Sequence, residues 1–208
     1  MPKTPEEEVV DRLLLLYLIN KAHAIRSLWG RTKLEKLVYC SQYGMMKSGI
    51  KGFNYHFYKW KFGPFSDEIY EDIDQLSKGK LIVKGVEDFQ VAPLGLKILE
   101  DCKELLDKNR GITKYIDEVV SDFKDYDADR IMNAIYETTV FEEKKRKVKD
   151  VPPKGELLSK LPIGKATKAF QIDSSWLETL EILLTPGFYD LILKARADTR
   201  TMPFTPLA

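Results

Sequence analysis

This sequence predicts a mainly α-helical α+β fold: a winged-helix-like domain with a small β-hairpin and an aromatic strand, followed by a helical tail. Three observations carry that expectation. Apolar residues recur at helical spacing behind capping residues over most of the chain. The run Phe53 to Phe62 changes to a period of two. Between two later helical stretches, Leu81-Ile82-Val83 and Phe89-Gln90-Val91 flank Lys84-Gly85-Val86-Glu87-Asp88, as two short strands around a glycine turn would.

The first helix starts at Thr4-Pro5-Glu6-Glu7, where an N-cap oxygen, a proline with no amide to lose and an answering glutamate coincide; it runs to about Leu28. Thr32 and Glu35 have the spacing of a second capping box, and Leu34, Leu37, Val38, Ser41 and Met45 keep one helical face until Gly49. In the strand that follows, Phe53, Tyr55 and Phe57 lie on one side and His56, Tyr58 and Trp60 on the other, with both faces partly covered. Gly63-Pro64 stops the strand. Ser66 is placed to cap the next helix, Asp67 and Glu68 suit its positive end, Ile69, Ile73 and Leu76 form its buried stripe, and Gly79 ends it. After the hairpin, Pro93 opens a helix carrying Leu94, Ile98, Cys102 and Leu105 inward, so the order is that of a winged helix.

Two more helices are expected, Ile112 to Lys124 and Ala128 to Val140, the second capped by Asp127. Residues 142 to 168 contain Lys144-Lys145-Arg146-Lys147, Pro152-Pro153, Gly155, Pro162 and Gly164 and resemble an exposed linker. Beyond it, Ser175 and Glu178 bracket Trp176 as a capping box, Leu177 to Leu184 make an apolar helix, and Thr185-Pro186 starts another from Phe188 to Ala197. The expected organisation is a domain over 1–141, a linker over 142–168 and a partner-binding tail over 169–208.

Composition narrows the function. The 208 residues are 44% hydrophobic, enough for one good core. Lysine and arginine number 33 against 32 acidic residues, so no global field attracts a polyanion or an anionic membrane. The longest apolar run, Leu13 to Ile19, falls short of the roughly 20 residues that a membrane helix needs. Two cysteines, Cys40 and Cys102, on apolar helix faces and no leader-like start point to a reducing cytoplasm.

No catalytic, cofactor or metal set emerges. His23 and His56 lack zinc spacing, Cys40 has no flanking nucleophile signature, and Gly49-Ile50-Lys51-Gly52 is not a phosphate loop. Binding surfaces are better represented. In a winged helix, the helix before the hairpin enters the major groove, yet here it presents Asp67, Glu68, Glu71, Asp72 and Asp74 against a single Lys78. These acids either face a basic protein or solvate an ordinary helix. Lys59, Trp60 and Lys61 offer cation and stacking surface to single-stranded nucleic acid, although alternating aromatics more often belong to a core. Lys84 in the hairpin and Lys144, Lys145, Arg146 and Lys147 are the other candidate phosphate contacts.

Three segments resemble a known family: Thr32-Lys33-Leu34-Glu35-Lys36-Leu37-Val38-Tyr39, Phe57-Tyr58-Lys59-Trp60-Lys61-Phe62-Gly63-Pro64-Phe65-Ser66, and Ile69-Tyr70 with Leu76. They look like the Panacea (SocA-like) antitoxin domain and its phage-associated relatives, over about the first half of the chain. The tail from Leu177 to Pro186, continued by Ile192 and Ala195, is similar to the toxin-wrapping ends of Phd and RelB-like antitoxins. The resemblance implies a non-enzymatic antitoxin or adaptor, encoded beside a basic toxin that it neutralises. The acidic helix, Trp176, Leu180, Leu184, Phe188 and Ile192 would be its partner surface, and homodimerisation through the tail stays open. The alternative is a winged-helix DNA-binding regulator acting on its own operon.

Overall fold

A computed structural model of the protein describes residues 2–25, 30–85, 88–141, 146–187 and 194. The expected helix from Phe188 onward, with Ile192, lies outside the described residues, as do Lys144 and Lys145. The architecture is α+β and mainly helical.

Helix α1 (Pro5–His23) begins at the expected capping box. Glu7 N donates to Thr4 Oγ1 at 3.2 Å and Thr4 N donates to Glu7 Oε2 at 3.0 Å. Leu13, Leu14, Leu15, Leu16 and Leu18 are fully buried, so the helix has no wet side along its middle. Such a helix must lie at the centre. Around it pack α2 (Arg31–Lys47), α3 (Asp67–Lys78), α4 (Pro93–Asp101), α6 (Arg110–Asp122), α8 (Ser174–Leu183) and strand β5 (Phe89–Val91).

Two expected caps are corrected. Helix α2 starts at Arg31 behind Gly30, which places Thr32 within the first turn instead of at its cap. Glu35 turns inward there and pairs with Lys36. At α8 the cap is Asp173, whose Oδ1 accepts from Trp176 N at 2.9 Å, so Ser175 is already helical. Asp127 does cap α7 (Ala128–Tyr136), accepting from Arg130 N at 2.8 Å. Ser66 occupies the N-cap of α3 but makes no capping bond; Gly79 ends the helix as expected, and the left-handed residue after it is Lys80, with φ of 59°.

The expected strand from Phe53 to Phe62 shortens to β2 (Phe57–Trp60). Gly63-Pro64 does not end the sheet: β3 (Gly63–Phe65) turns back and pairs antiparallel with β2. On the other side β2 pairs antiparallel with β6 (Glu156–Leu158), and β1 (Ile50–Lys51) pairs parallel with β7 (Lys168–Ala169). Both of these partners come from the stretch expected to be an exposed linker or the start of a tail. Val148, Val151, Leu157, Leu158 and Leu161 are buried, so the stretch 146–168 packs on the domain and supplies side chains to its core. Its prolines and glycines break up local periodicity without keeping the segment out of the fold.

The second hairpin joins β4 (Ile82–Lys84) to β5, and α4 follows, in winged-helix order. The helix expected after Pro93 is broken into α4 and α5 (Lys103–Lys108), with Ile98, Cys102 and Leu105 inward as expected. Gly95 is where α4 meets the base of this hairpin: a Cβ there would lie 2.3 Å from the carbonyl oxygen of Leu81, just before β4. Glu7 ties the start of α1 to the sheet segments, receiving Lys51 Nζ at 2.8 Å and Lys160 Nζ at 2.6 Å. Among the described residues, no helix is long and apolar enough to cross a membrane.

Two outcomes follow from these contacts. Gly95→Ala should lower unfolding stability by about 1–3 kcal/mol in a urea titration, because backbone must move; Gly164→Ala, with open space around its Cβ, should not. Burial alone would raise the Glu7 carboxyl, but hydrogen bonds from Lys160, Lys51 and Thr4 N outweigh it and take it down to about 2. Its stabilisation is therefore present above the unfolded value near 4.5 and is lost as pH falls toward 2. Glu7→Gln should be destabilised near pH 7, and the difference should vanish in acid-unfolding curves near pH 2.

Candidate interaction site on the aromatic hairpin

Alternation along β2 sorts its side chains between core and solvent. Phe57 is fully buried, meeting the ring of Tyr39 edge-on at 5.2 Å. Tyr58 and Trp60 accordingly fall on the other face. Lys61 and Phe62 make the two-residue turn, closed by the pairing of Trp60 with Gly63. Gly63 has a φ of 90°, which residues with a side chain rarely adopt. Pro64 has no N–H to give a further strand, which suits the edge position of β3.

What fixes this hairpin is a buried lysine. Lys36 Nζ donates to the Pro64 carbonyl at 2.6 Å and to Glu35 Oε2 at 3.0 Å, and its side chain is only 2% exposed. Burial draws the ammonium below its ordinary value, while Glu35 works in the opposite direction. Glu35 also holds the Tyr70 hydroxyl, whose titration is pushed up by burial and by that carboxylate. Helix α2, the hairpin turn and helix α3 are thus joined through one buried pair.

On the solvent face the rings form a ladder. Tyr70 stacks on Phe65 at 5.7 Å, Phe65 meets Tyr58 at 5.5 Å and Trp60 at 6.5 Å, and Tyr58 Oη donates to Asp67 Oδ2 at 2.8 Å. At the tip Trp60 is 44% and Phe62 57% exposed. Lys61 lies 5.5 Å from the Phe62 ring and Lys154 lies 5.8 Å from the Trp60 ring. The result is an exposed aromatic patch edged by cations, the kind of surface that gains from being covered.

The expected acidic surface on α3 is largely spent inside the molecule. Asp72 is buried, accepting from Arg12 Nε at 2.9 Å and from Tyr55 Oη at 2.9 Å, which corrects its expected place on the solvent side. Glu68 accepts from His56 N and pairs with Lys3, and Asp74 pairs with Lys84. Asp67 and Glu71 are the exposed acids of the helix nearest the ladder's Tyr70 end. In the tail, Leu180 and Leu184 are fully buried in the domain's own core and Trp176 is half-buried, so these two leucines are not free for a partner. Phe188 lies outside the described residues.

The candidate phosphate contacts are scattered. Lys59 Nζ donates to the Lys149 carbonyl at 2.6 Å and faces Tyr136, Lys147 pairs with Glu137, and Arg146 Nη2 reaches the Asp150 carbonyl at 3.4 Å. Of the described members of the expected set, only Lys61 sits on the ladder's tip. Lys36, Tyr58, Phe62, Phe65 and Lys154 join the site without having been expected there. The Phe-Gly-Pro-Phe turn was their one visible signal.

The thiols oppose nucleophilic chemistry. Burial pushes Cys40 up to about 12 against the pull of Lys36, and burial with Asp101 pushes Cys102 up to about 12. His23 sits 4.0 Å from Asp88 and His56 3.5 Å from Glu156. Among the described residues, no three of His, Cys, Asp and Glu are grouped to hold a metal ion.

Compared with models of protein families, with curated proteins and with solved structures, the chain finds no match.

Lys36→Met should cost about 3–5 kcal/mol, because the buried Glu35 carboxylate loses its partner. The double variant Glu35→Gln, Lys36→Met should recover part of that loss in a thermal or urea unfolding series.

Proposed function

We infer that this chain is a non-enzymatic protein-binding domain of the antitoxin or adaptor class, and that it docks its partner on the β2–β3 hairpin. The observation that carries this is the exposure of Trp60 and Phe62 at the tip of a ladder anchored by a buried lysine. Large aromatic side chains on a rigid base lose little conformational entropy when covered. The likeness of the turn and of the flanking helices to antitoxin domains supports the same reading. Asp67 and Glu71 beside the ladder give a basic toxin its electrostatic contact, while Lys61 and Lys154 offer the opposite sign at the tip.

The tail enters differently than the antitoxin resemblance implies. With Leu180 and Leu184 in the core, deleting residues 165–208 would remove packing as well as any partner surface. The hairpin tip is the cleaner test. Co-expression with the product of the adjacent gene should give a stable complex, and Trp60→Ala with Phe62→Ala should weaken it at least about 30-fold while leaving the melting temperature nearly unchanged. Failure of the unaltered protein to form that complex, or full affinity in the double variant, would remove this function.

Nucleic acid is the second reading, favoured by the cations over Trp60 and Phe62. It applies to single strands, since the acids of α3 and the Lys84–Asp74 pair oppose the groove-reading mode of a winged helix. It predicts salt-sensitive quenching of tryptophan fluorescence by an oligonucleotide, lost in Trp60→Phe.

A further inference from the structure

A lysine from the segment preceding α1 fills a cage on the face of the domain where α1 begins. Lys3 lies one residue before the cap of α1, and its side chain is 12% exposed. Its ammonium is 2.7 Å from Asp11 Oδ2, 3.3 Å from Glu68 Oε2 and 3.9 Å from the centre of the Tyr55 ring. Asp11 and Tyr55 are fully buried and Asp72, bonded to the Tyr55 hydroxyl, is 6% exposed. An aromatic floor with carboxylate walls is the environment that best replaces the water of an alkylammonium ion.

Charge balance shows how much the cage depends on its occupant. Arg12 answers Asp72 at 2.9 Å and Glu8 at 3.3 Å. Among the described residues, Asp11 has Lys3 as its one cationic partner, and Glu68 shares it. With Lys3 withdrawn, the three carboxylates of Asp11, Glu68 and Asp72 would face one guanidinium. Burial opposes the charge of Lys3, yet Asp11, Glu68 and Asp72 together raise its titration above the ordinary value.

A second feature points to a donor from outside. The Asn54 side-chain amide donates to Asp11 Oδ1 at 3.1 Å and to the Gly52 carbonyl at 2.8 Å, which fixes its orientation. Its Oδ1 is buried and accepts no hydrogen bond. Asn54, Lys3 and Glu68 line one cleft of about 340 Å³. Pro2 and Thr4, on either side of Lys3, line another of about 620 Å³, and Ser159 and Lys160 belong to both. Beyond Lys3 itself, Lys160 Nζ holds the arm by the Pro2 carbonyl at 2.9 Å.

We propose that this cage is a binding site for a primary alkylammonium group, and that Lys3 is its occupant in cis. When the arm lifts, a free amine or a lysine of another polypeptide enters by the same contacts: ion pairing with Asp11 and Glu68, with the charge over Tyr55.

The experiment is chemical rescue at pH 8.5, above the value of about 7 to which burial pushes Asp11 against the pull of Lys3, and below the titration of an alkylammonium. In the full chain carrying Lys3→Ala, n-butylammonium should raise the melting temperature by about 5 °C. Tetramethylammonium at equal ionic strength should not, and the unaltered protein should respond far less. An acetylated Pro-Lys-Thr peptide forms the second arm of the test. Rescue by the amine alone assigns the site to free amines, and rescue by the peptide alone assigns it to lysines of polypeptides. Lys3→Met, which keeps the apolar stem, repeats the measurement should Lys3→Ala fail to fold. No rescue of either variant, or equal rescue when Asp11→Asn is added, overturns the proposal.

Discussion

A helix that cannot tolerate water on any side sets the terms for this protein. The middle of α1 buries five leucines completely, so the chain must supply a jacket around its full circumference. Helices α2, α3, α4, α6 and α8 and strand β5 are that jacket. The demand explains why the apparent tail is not a tail: Leu180 and Leu184 of the α8 region complete the enclosure. It also governs the polar residues that α1 does carry. Asp11 meets Lys3, Arg12 meets Asp72, and Tyr17 Oη donates to Asp117 at 2.8 Å, each across an interface with another part of the fold.

The same rule repeats one layer out, where α2 buries Lys36 and Glu35 together. Neither charge is tolerable there alone, and their common partners lie on the hairpin and on α3. The pair gives those elements one admissible arrangement. Rigidity follows, and with it the exposed ladder ending at Trp60 and Phe62 becomes a surface that a partner can cover at small entropic cost. The proposed docking surface and the fold meet at the Pro64 carbonyl: one oxygen receives the buried lysine just behind the exposed turn.

Legibility varied with the range of the forces involved. The Thr4 and Asp127 caps and the Ile69, Ile73, Leu76 stripe were plain, because neighbours within a turn decide them. Thr32 with Glu35 and Ser175 with Glu178 carry the same spacing and do not cap, because each helix starts a residue or more earlier at a different cap. Strand β6 has three residues, too few to display a period, and its Pro- and Gly-rich surroundings made it look like linker. Asp72 resembled its exposed acidic neighbours because Arg12, 60 residues away, and Tyr55, 17 residues away, leave no mark on a helical wheel.

The sequence by itself determined the class of fold, the kind and approximate place of most elements, the unbroken apolar run in the first helix and the distinctness of the Phe-Gly-Pro-Phe turn. Tertiary structure alone decided which charges face water. It sent Asp72 and Lys36 inward, spent Asp74 on Lys84, left Trp60 and Phe62 at the surface and drew five apolar side chains of the stretch 146–168 into the core. The reason is physical: periodicity and capping act within a turn of helix, whereas burying a charge is acceptable only when a partner distant in sequence arrives to meet it.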